Sequence, residues 1–323
     1  MARRRRRKKR RNRFFVIMLM LLSFIYGYLF DEINTTFAMM YDDVSKDVIE
    51  TINSNNNTDT EEVVITDKDV RVYFIDVGQA DSILINSNDE YMVIDGGNNN
   101  DGKLVVSYLK GLGVNKIKYV VGTHPHEDHI GGLDDIISSF DIEHILIPDA
   151  ITTTKTFEDL LDAIEKKNMS FEVPKIGDKL SLGNSTLEVI YTGADTSDLN
   201  NTSIVLRMVY KDTSFLFTGD ATDVSEKVIL KSSANIKSDV LKVGHHGSKY
   251  SSTEAFLKKV CPKYAVISVG LNNKYGHPGS STLSRLENLN VIIHRTDEEG
   301  TIIASSDGKN ISFTNEKTNT NGG

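Results

Sequence analysis

Thr123-His124-Pro125-His126-Glu127-Asp128-His129-Ile130-Gly131-Gly132 is the stretch that decides how this chain is read. Three of the eight histidines fall within six residues, directly after an apolar run at 117–121 and before a helical pattern at 133–139. At a strand end the backbone turns, so side chains from close positions can converge on one point. Imidazole nitrogen and carboxylate oxygen are the donors that borderline divalent metals take when thiolate is missing. The single cysteine, Cys261, excludes an intrachain disulfide framework and a thiolate-rich site. Lying between Val260 and Pro262, it reads as a small packed residue.

One loop does not complete a metal site, and two later strand ends carry further donors. Phe215-Leu216-Phe217-Thr218-Gly219-Asp220 ends on an acid that can bridge two ions. Leu241-Lys242-Val243-Gly244-His245-His246-Gly247-Ser248 ends on paired imidazoles. Polar groups gathered at the ends of several strands are costly unless they serve a site. Read singly, Asp220 has a second use, capping the helix that follows.

Working outward, strands are predicted at 70–76, 82–85, 91–94, 117–121 and 145–147, with helices at 103–109, 133–139 and 157–167. Hairpin-like strands follow at 187–191 and 203–209. Strands at 214–217, 240–243 and 264–269 then alternate with helices at 224–230, 254–260 and 282–289, before terminal strands near Val291, Thr301 and Ile311. That order suits an α+β fold of four layers, an αββα sandwich in which two mixed sheets pack face to face with helices outside.

Residues 1–13 carry ten Arg and Lys and no acid, and an uncharged run follows at 14–30. Seventeen residues is the lower limit for a membrane-spanning helix and long for a signal-peptide core. We expect a basic cytoplasmic tip (1–13), a transmembrane signal anchor (14–30), an acidic flexible stalk (31–68), a hydrolase domain (69–314) and a disordered tail (315–323). The basic block places the N-terminus in the cytoplasm and the domain outside the cell membrane, as a single-pass protein. The alternative is a secreted protein, cleaved near Thr36-Phe37-Ala38. A nucleic-acid-binding arm fits poorly beside an apolar run.

The net charge of −8 hides an asymmetry: beyond residue 13, 27 basic residues face 45 acidic ones, about −18. A domain that grips nucleic acid through its phosphates is basic on the binding face, and no such stripe is visible here. A polyanionic substrate would have to be drawn by metal charge or delivered by a partner.

His-x-His-x-Asp-His, then Gly-Asp after a strand, then a further histidine, resembles the metallo-β-lactamase superfamily. Within it, Phe74-Ile-Asp76-Val-Gly-Gln79-Ala-Asp81-Ser82, Ile94-Asp95-Gly-Gly97, Asn201-Thr-Ser203, Gly244-His-His-Gly-Ser248 and Tyr275-Gly276-His277-Pro278 resemble the hydrolase domain of the ComEC competence proteins. The likeness runs from about residue 70 to 313. Ala80 stands where that family usually has glycine, a mild change if its φ is negative. We expect one span in place of the family's multi-span channel region, which weakens any inference of DNA import.

The resemblance implies that His124 and His126 hold one ion, that Asp128, His129 and His245 hold the other, and that Asp220 bridges them. Many relatives supply a third histidine to the first ion, but no histidine occurs here from 145 to 244. Asn201 lies where that ligand is expected, His144 reads as structural, and Asp95 reads as a partner that orients an imidazole. Zinc suits the donor set, with manganese the alternative. Two such ions roughly 3.5–4 Å apart lower the pKa of a shared water and stabilise phosphoryl charge.

Asp128 or Asp220 would take the water's proton, and His246 or His277 would contact substrate or protonate the leaving oxygen. Asn201, Ser248, Lys249 and His277 are the expected substrate contacts. Lys249 and Lys274 can also be merely solvated, and His277 can simply fix a Gly-His-Pro turn. Asp76 and Asp81 bracket a turn that can hydrogen-bond its own backbone. Gly131 and Gly132 read as places of tight backbone passage.

Three functions stay open on sequence. One is a phosphodiesterase, above all a nuclease acting on single-stranded DNA outside the cytoplasmic membrane. Another is a hydrolase of a lactam, lactone, thioester or cell-wall phosphoester, since the fold hosts all of these. The last is a non-catalytic membrane-anchored binding module with a degenerate site.

Overall fold

The apolar run at 70–76 folds as strand β1 (Val70–Phe74), whose alternation sorts two environments. Val70, Val72 and Phe74 face the core between the two sheets, while Tyr73 faces the helices outside. The computed structural model describes residues 70–193 and 197–317. The basic tip, membrane anchor and stalk expected over 1–68 lie outside the described residues. Among the described residues no helix is long and apolar enough to cross a membrane.

After β1 come β2 (Ser82–Ser87), β3 (Glu90–Gly96), α1 (Gly102–Gly111), β4 (Lys116–Val121), α2 (Glu127–Ile130), α3 (Leu133–Ser139), β5 (Asp141–Leu146) and α4 (Lys155–Lys166). The second half contributes β6 (Lys179–Leu182), β7 (Ser185–Tyr191), β8 (Val205–Tyr210), β9 (Thr213–Phe217), α5 (Asp223–Lys231), β10 (Val240–Lys242), α6 (Glu254–Val260) and β11 (Tyr264–Ile267). It closes with α7 (Ser280–Asn288), β12 (Ile292–Arg295), α8 (Thr296–Glu299), β13 (Thr301–Ser306) and β14 (Ile311–Glu316). β14 pairs with β13 through Glu316, so residues 315 and 316, expected in the tail, belong to a sheet.

Two seven-stranded sheets result, ordered β14-β13-β1-β2-β3-β4-β5 and β12-β11-β10-β9-β8-β7-β6. Phe74, Ile83, Ile85 and Ile94 of the first meet Leu206, Met208, Phe215 and Phe217 of the second in one apolar layer. On its outer face the first sheet packs Leu84, Val93 and Val120 against Leu109, Ile136 and Leu160 of the helices. The second packs Leu216 and Leu241 against Ile229, Phe256, Leu257 and Leu286. This is the αββα sandwich expected from the element order.

Two details of the chain path set up the site. In each sheet the strands that carry donor residues run parallel, β3 with β4 and β9 with β10, so their C-terminal ends share an edge. Glycine lets the backbone cross there: a Cβ on Gly131 would lie 2.3 Å from the Asn99 nitrogen, and one on Gly132 would lie 2.3 Å from the Gly96 carbonyl. Away from the site, Cys261 is exposed rather than packed, ending α6 in a left-handed conformation.

Candidate metal centre

Asp220 ends β9, and its two carboxylate oxygens face different imidazoles. Oδ1 lies 3.3 Å from His129 Nε2, whereas Oδ2 lies 3.7 Å from Nε2 of both His245 and His246. The alternative use of this residue as a helix cap falls away, because Thr222 caps α5 through the Val224 amide. Backbone hydrogen bonds fix the strand ends: Ile204 N donates to the Thr123 carbonyl across the two sheets, and His245 N donates to the Gly219 carbonyl within the second. The Asp220 amide donates to Ser203 Oγ.

Around Asp220 the donor atoms form overlapping groups. His124, His129 and Asp220 each offer one atom within 4.8 Å of the others, and so do Asp128, His129 and His246. The His124 and His129 ring centroids are 4.1 Å apart. His129 Nε2, Asp220 Oδ1, His245 Nδ1 and His246 Nε2 are buried without a hydrogen-bond partner. Four orphaned polar atoms in one cluster would be costly to a folded protein unless they had a cation to bind. The residues therefore fit divalent metal.

Two of the imidazoles, those of His129 and His246, are aimed by neighbours. Asp95 Oδ2 accepts from His129 Nδ1 at 2.8 Å and from Thr123 Oγ1 at 2.7 Å, while Oδ1 accepts from the Thr123 amide at 2.7 Å. His246 Nδ1 donates to the Ser268 carbonyl at 3.0 Å and lies 3.4 Å from Asp81 Oδ1. Asp95, His245 and His246 all have positive φ, at 61°, 53° and 51°. Left-handed backbone on a non-glycine residue costs about 1–3 kcal/mol and persists where surrounding structure enforces it, commonly at functional sites.

The charges favour a cation. Burial works against protonation of His129 and His246, yet Asp220 with Asp95 holds His129 well above the usual imidazole range. Asp220 with Asp81 likewise carries His246 up to about 10. Burial also opposes ionisation of Asp128, but its contact with His246 holds its pKa at about 2. Clustered carboxylates that drag imidazoles into the charged form make the place for positive charge that divalent ions would occupy.

Several expected residues take other positions. His126 is adjacent but turned toward its neighbour, its Nδ1 lying 2.9 Å from His124 Nε2. His246, expected to contact substrate, is the buried member of the pair with its Nε2 3.4 Å from Asp128 Oδ2, and His245 is the more exposed. Asn201 is a packing residue: its Oδ1 accepts from Thr222 and Ser225 hydroxyls, and its carbonyl accepts from Tyr191. Ser248 is buried, its carbonyl accepting from Thr282. Lys249 is exposed, its ammonium 4.9 Å from the Tyr250 ring, and it does not line the cleft.

Other expectations agree with the geometry. Asp76 Oδ1 accepts from the Gly78 amide, the self-bonded turn. Ala80 is buried and lies outside the set of residues with positive φ. His144 stacks on Tyr119 and pairs with Glu172 at the surface, away from the cluster. Two residues escaped notice in the sequence. Lys242 is buried and bonded to Asp81 at 2.7 Å, and Asn200 rather than Asn201 reaches the site.

A cleft of about 320 Å³ opens onto the cluster, lined by Gln79, Asp128, Asn200, Asp220, Tyr275 and His277, among others. His277 stacks with Tyr275, their ring centroids 5.8 Å apart. Burial and the charges of His245 and His246 push its pKa down to about 4, so the ring is neutral near pH 7.

Four layers with a histidine–aspartate cluster at the strand ends define a metal-dependent hydrolase architecture. The chain belongs to the metallo-beta-lactamase superfamily, whose family model matches residues 75–270. It is 34% identical over 201 residues to ComE operon protein 3 of Bacillus subtilis, covering 62% of this chain and 26% of that protein. It is 27% identical to competence protein ComA of Neisseria gonorrhoeae, covering 74% of this chain and 32% of that protein. Recombination protein 2 of Haemophilus influenzae is 28% identical, covering 71% and 28%. The chain thus spans about a third or less of these relatives' lengths. The metallo-beta-lactamase fold protein YhfI from Bacillus subtilis superimposes with a TM-score of 0.52 at 12% identity, over 74% of this chain and 100% of that one.

Proposed function

We propose that this chain is a binuclear phosphodiesterase that cleaves DNA, most readily single strands, outside the cytoplasmic membrane, to which residues 14–30 tether it. One observation carries the proposal: the Asp220 carboxylate offers one oxygen toward His129 and the other toward His245 and His246. A carboxylate split in this way suits a bridge between two cations. His124, His126 and His129 with Oδ1 of Asp220 would hold one, and Asp128 and His246 with Oδ2 the other, with His245 at the rim, so that His129 passes to the first ion. Relative to the sequence reading, His246 takes the ligand role given to His245, because its Nε2 approaches Asp128 and Asp220 from within the core.

Bound divalent ions would acidify a water and neutralise charge on phosphoryl oxygens. The chain's own contribution is orientation. Asp95 and Asp81 aim the imidazoles, and Asp128, half-exposed and ionised, borders the cleft as acceptor for the water's proton. Asn200 Oδ1, buried and unpaired, and neutral His277 offer hydrogen-bonding groups to substrate on the same cleft wall.

DNA is favoured over a lactam, lactone or thioester because the similar proteins carry competence and recombination in their names. Zinc is the first choice of metal and manganese the second. The test is cleavage of end-labelled single-stranded DNA by the full-length chain with added zinc or manganese. Turnover should vanish with a chelator and fall on the order of 10²–10³-fold in Asp128→Ala and Asp220→Ala, the scale for losing one preorganised electrostatic group. Cleavage that survives in both variants, or none with either metal, rejects the proposal.

A further inference from the structure

Lys242 is the one residue of β10 that breaks an apolar strand, and its side chain is 1% exposed. Its ammonium donates to Asp81 Oδ2 at 2.7 Å and to the Val243 carbonyl at 3.2 Å. Burying a lysine removes it from water at large cost, which only close anionic and carbonyl partners offset. Nothing in the outer packing of β10 requires it, since the neighbouring Leu241 and Val243 pack with the helices.

What Lys242 touches gives the reason. Asp81 lies within reach of the centre from behind: with Asp220 and His246 it forms a donor group within 4.8 Å, and with Asp95 and His129 another. On distance alone Asp81 could take a cation itself. One of its oxygens is taken by the lysine. The other, Oδ1, has no hydrogen-bond partner and sits 3.4 Å from His246 Nδ1.

We infer that Lys242 is a positioning residue: it acts as a resident cation that occupies Asp81, bars that carboxylate from coordinating metal, and commits it to orienting His246. With Nδ1 held by the Ser268 carbonyl and faced by Asp81, the His246 ring turns Nε2 toward Asp128 and Asp220. Carboxylates placed behind a ligating imidazole fix its tautomer and strengthen it as a donor. The inference rests on the two-cation reading above.

The test uses the full-length chain and zinc, titrated against a chromophoric chelator, with cobalt as a spectroscopic substitute. Lys242→Gln with Asp81→Asn replaces the buried ion pair by a neutral, hydrogen-bonding one, so that folding can be checked by thermal melting. We expect a wild-type melt, one zinc ion bound about 10- to 100-fold more weakly, and an altered cobalt absorption spectrum. A folded double variant with wild-type affinity at both ions and an unchanged spectrum overturns the role. Nitrogen NMR of the wild-type chain tests it without substitution. His246 should carry its proton on Nδ1, and a proton on Nε2 in the metal-bound protein overturns the role even if the variant fails to fold. A wild-type chain that binds no zinc rejects the two-cation reading as well.

Discussion

Asp95 holds His129 by a 2.8 Å hydrogen bond from Nδ1 to Oδ2, so that the far nitrogen of the ring looks at Asp220. The same carboxylate accepts from the amide and hydroxyl of Thr123, so both of its oxygens are in use. Asp95→Asn keeps the shape and tolerates the left-handed backbone. Its Oδ must stay on the Thr123 amide, which turns the NH₂ group toward His129. The ring must then accept on Nδ1 and carry its proton on Nε2, where a ligand lone pair is needed. Zinc affinity should fall about 10- to 100-fold in chelator competition. Unchanged affinity would show that Asp95 serves the Thr123 turn alone.

Cations should stabilise the fold as well as react. The carboxylates of Asp81, Asp95, Asp128 and Asp220 converge with one lysine among them, so a divalent ion relieves repulsion only in the folded chain. Saturation at a hundred times the dissociation constant adds about 2.7 kcal/mol per site. The melting temperature should rise with zinc and fall with chelator, and Asp220→Ala should lose most of the rise. An equal rise in that variant would place the ions elsewhere.

Asn200 and Asn201 should separate cleanly. Asn201 Oδ1 is shared by two buried hydroxyls, so Asn201→Ala strands both and should cost about 1–3 kcal/mol in denaturant unfolding. Asn200→Ala removes an unpaired group from the cleft, so stability should hold while KM rises. The reverse pattern would restore the sequence-based choice of Asn201 as the substrate contact.

His277 should bind but not titrate. Burial and neighbouring positive charge favour the neutral ring, so its pKa of about 4 means deprotonation is complete well below neutrality. Bound cations add positive charge nearby and lower the pKa further. His277→Gln should reduce kcat/KM about fivefold, the equivalent of about 1 kcal/mol for one hydrogen bond. The shape of the pH profile between about pH 5 and 8 should not change. Loss of an acid limb in that window would assign the titrating group to His277.

Much of the fold was legible because its strands are short apolar runs bounded by turn residues, and the order of elements led directly to two sheets inside two helical layers. β6 (Lys179–Leu182) escaped because Lys-Leu-Ser-Leu is too short to establish a period. At the site, the 124–129 loop, Asp220 and the histidine pair were readable as polar residues at strand ends. Choices between adjacent residues were not readable. His245 and His246 share left-handed backbone in one tight turn, and only coordinates tell which ring enters the core. Asn200 and Asn201 pose the same problem in a single 3₁₀ turn. Lys242 did leave a trace, a lysine inside an apolar strand. Its meaning depended on Asp81, which lies 161 positions away.

Tyr275 and His277 sit on the segment between β11 and α7, which touches the centre chiefly through the Ser268 carbonyl and the rings of the histidine pair. That separation lets evolution edit one wall of the cleft while leaving the reaction machinery alone. Descendants of this chain could change what they cut by rewriting a few surface positions there, with no renegotiation among the residues that draw the ions in.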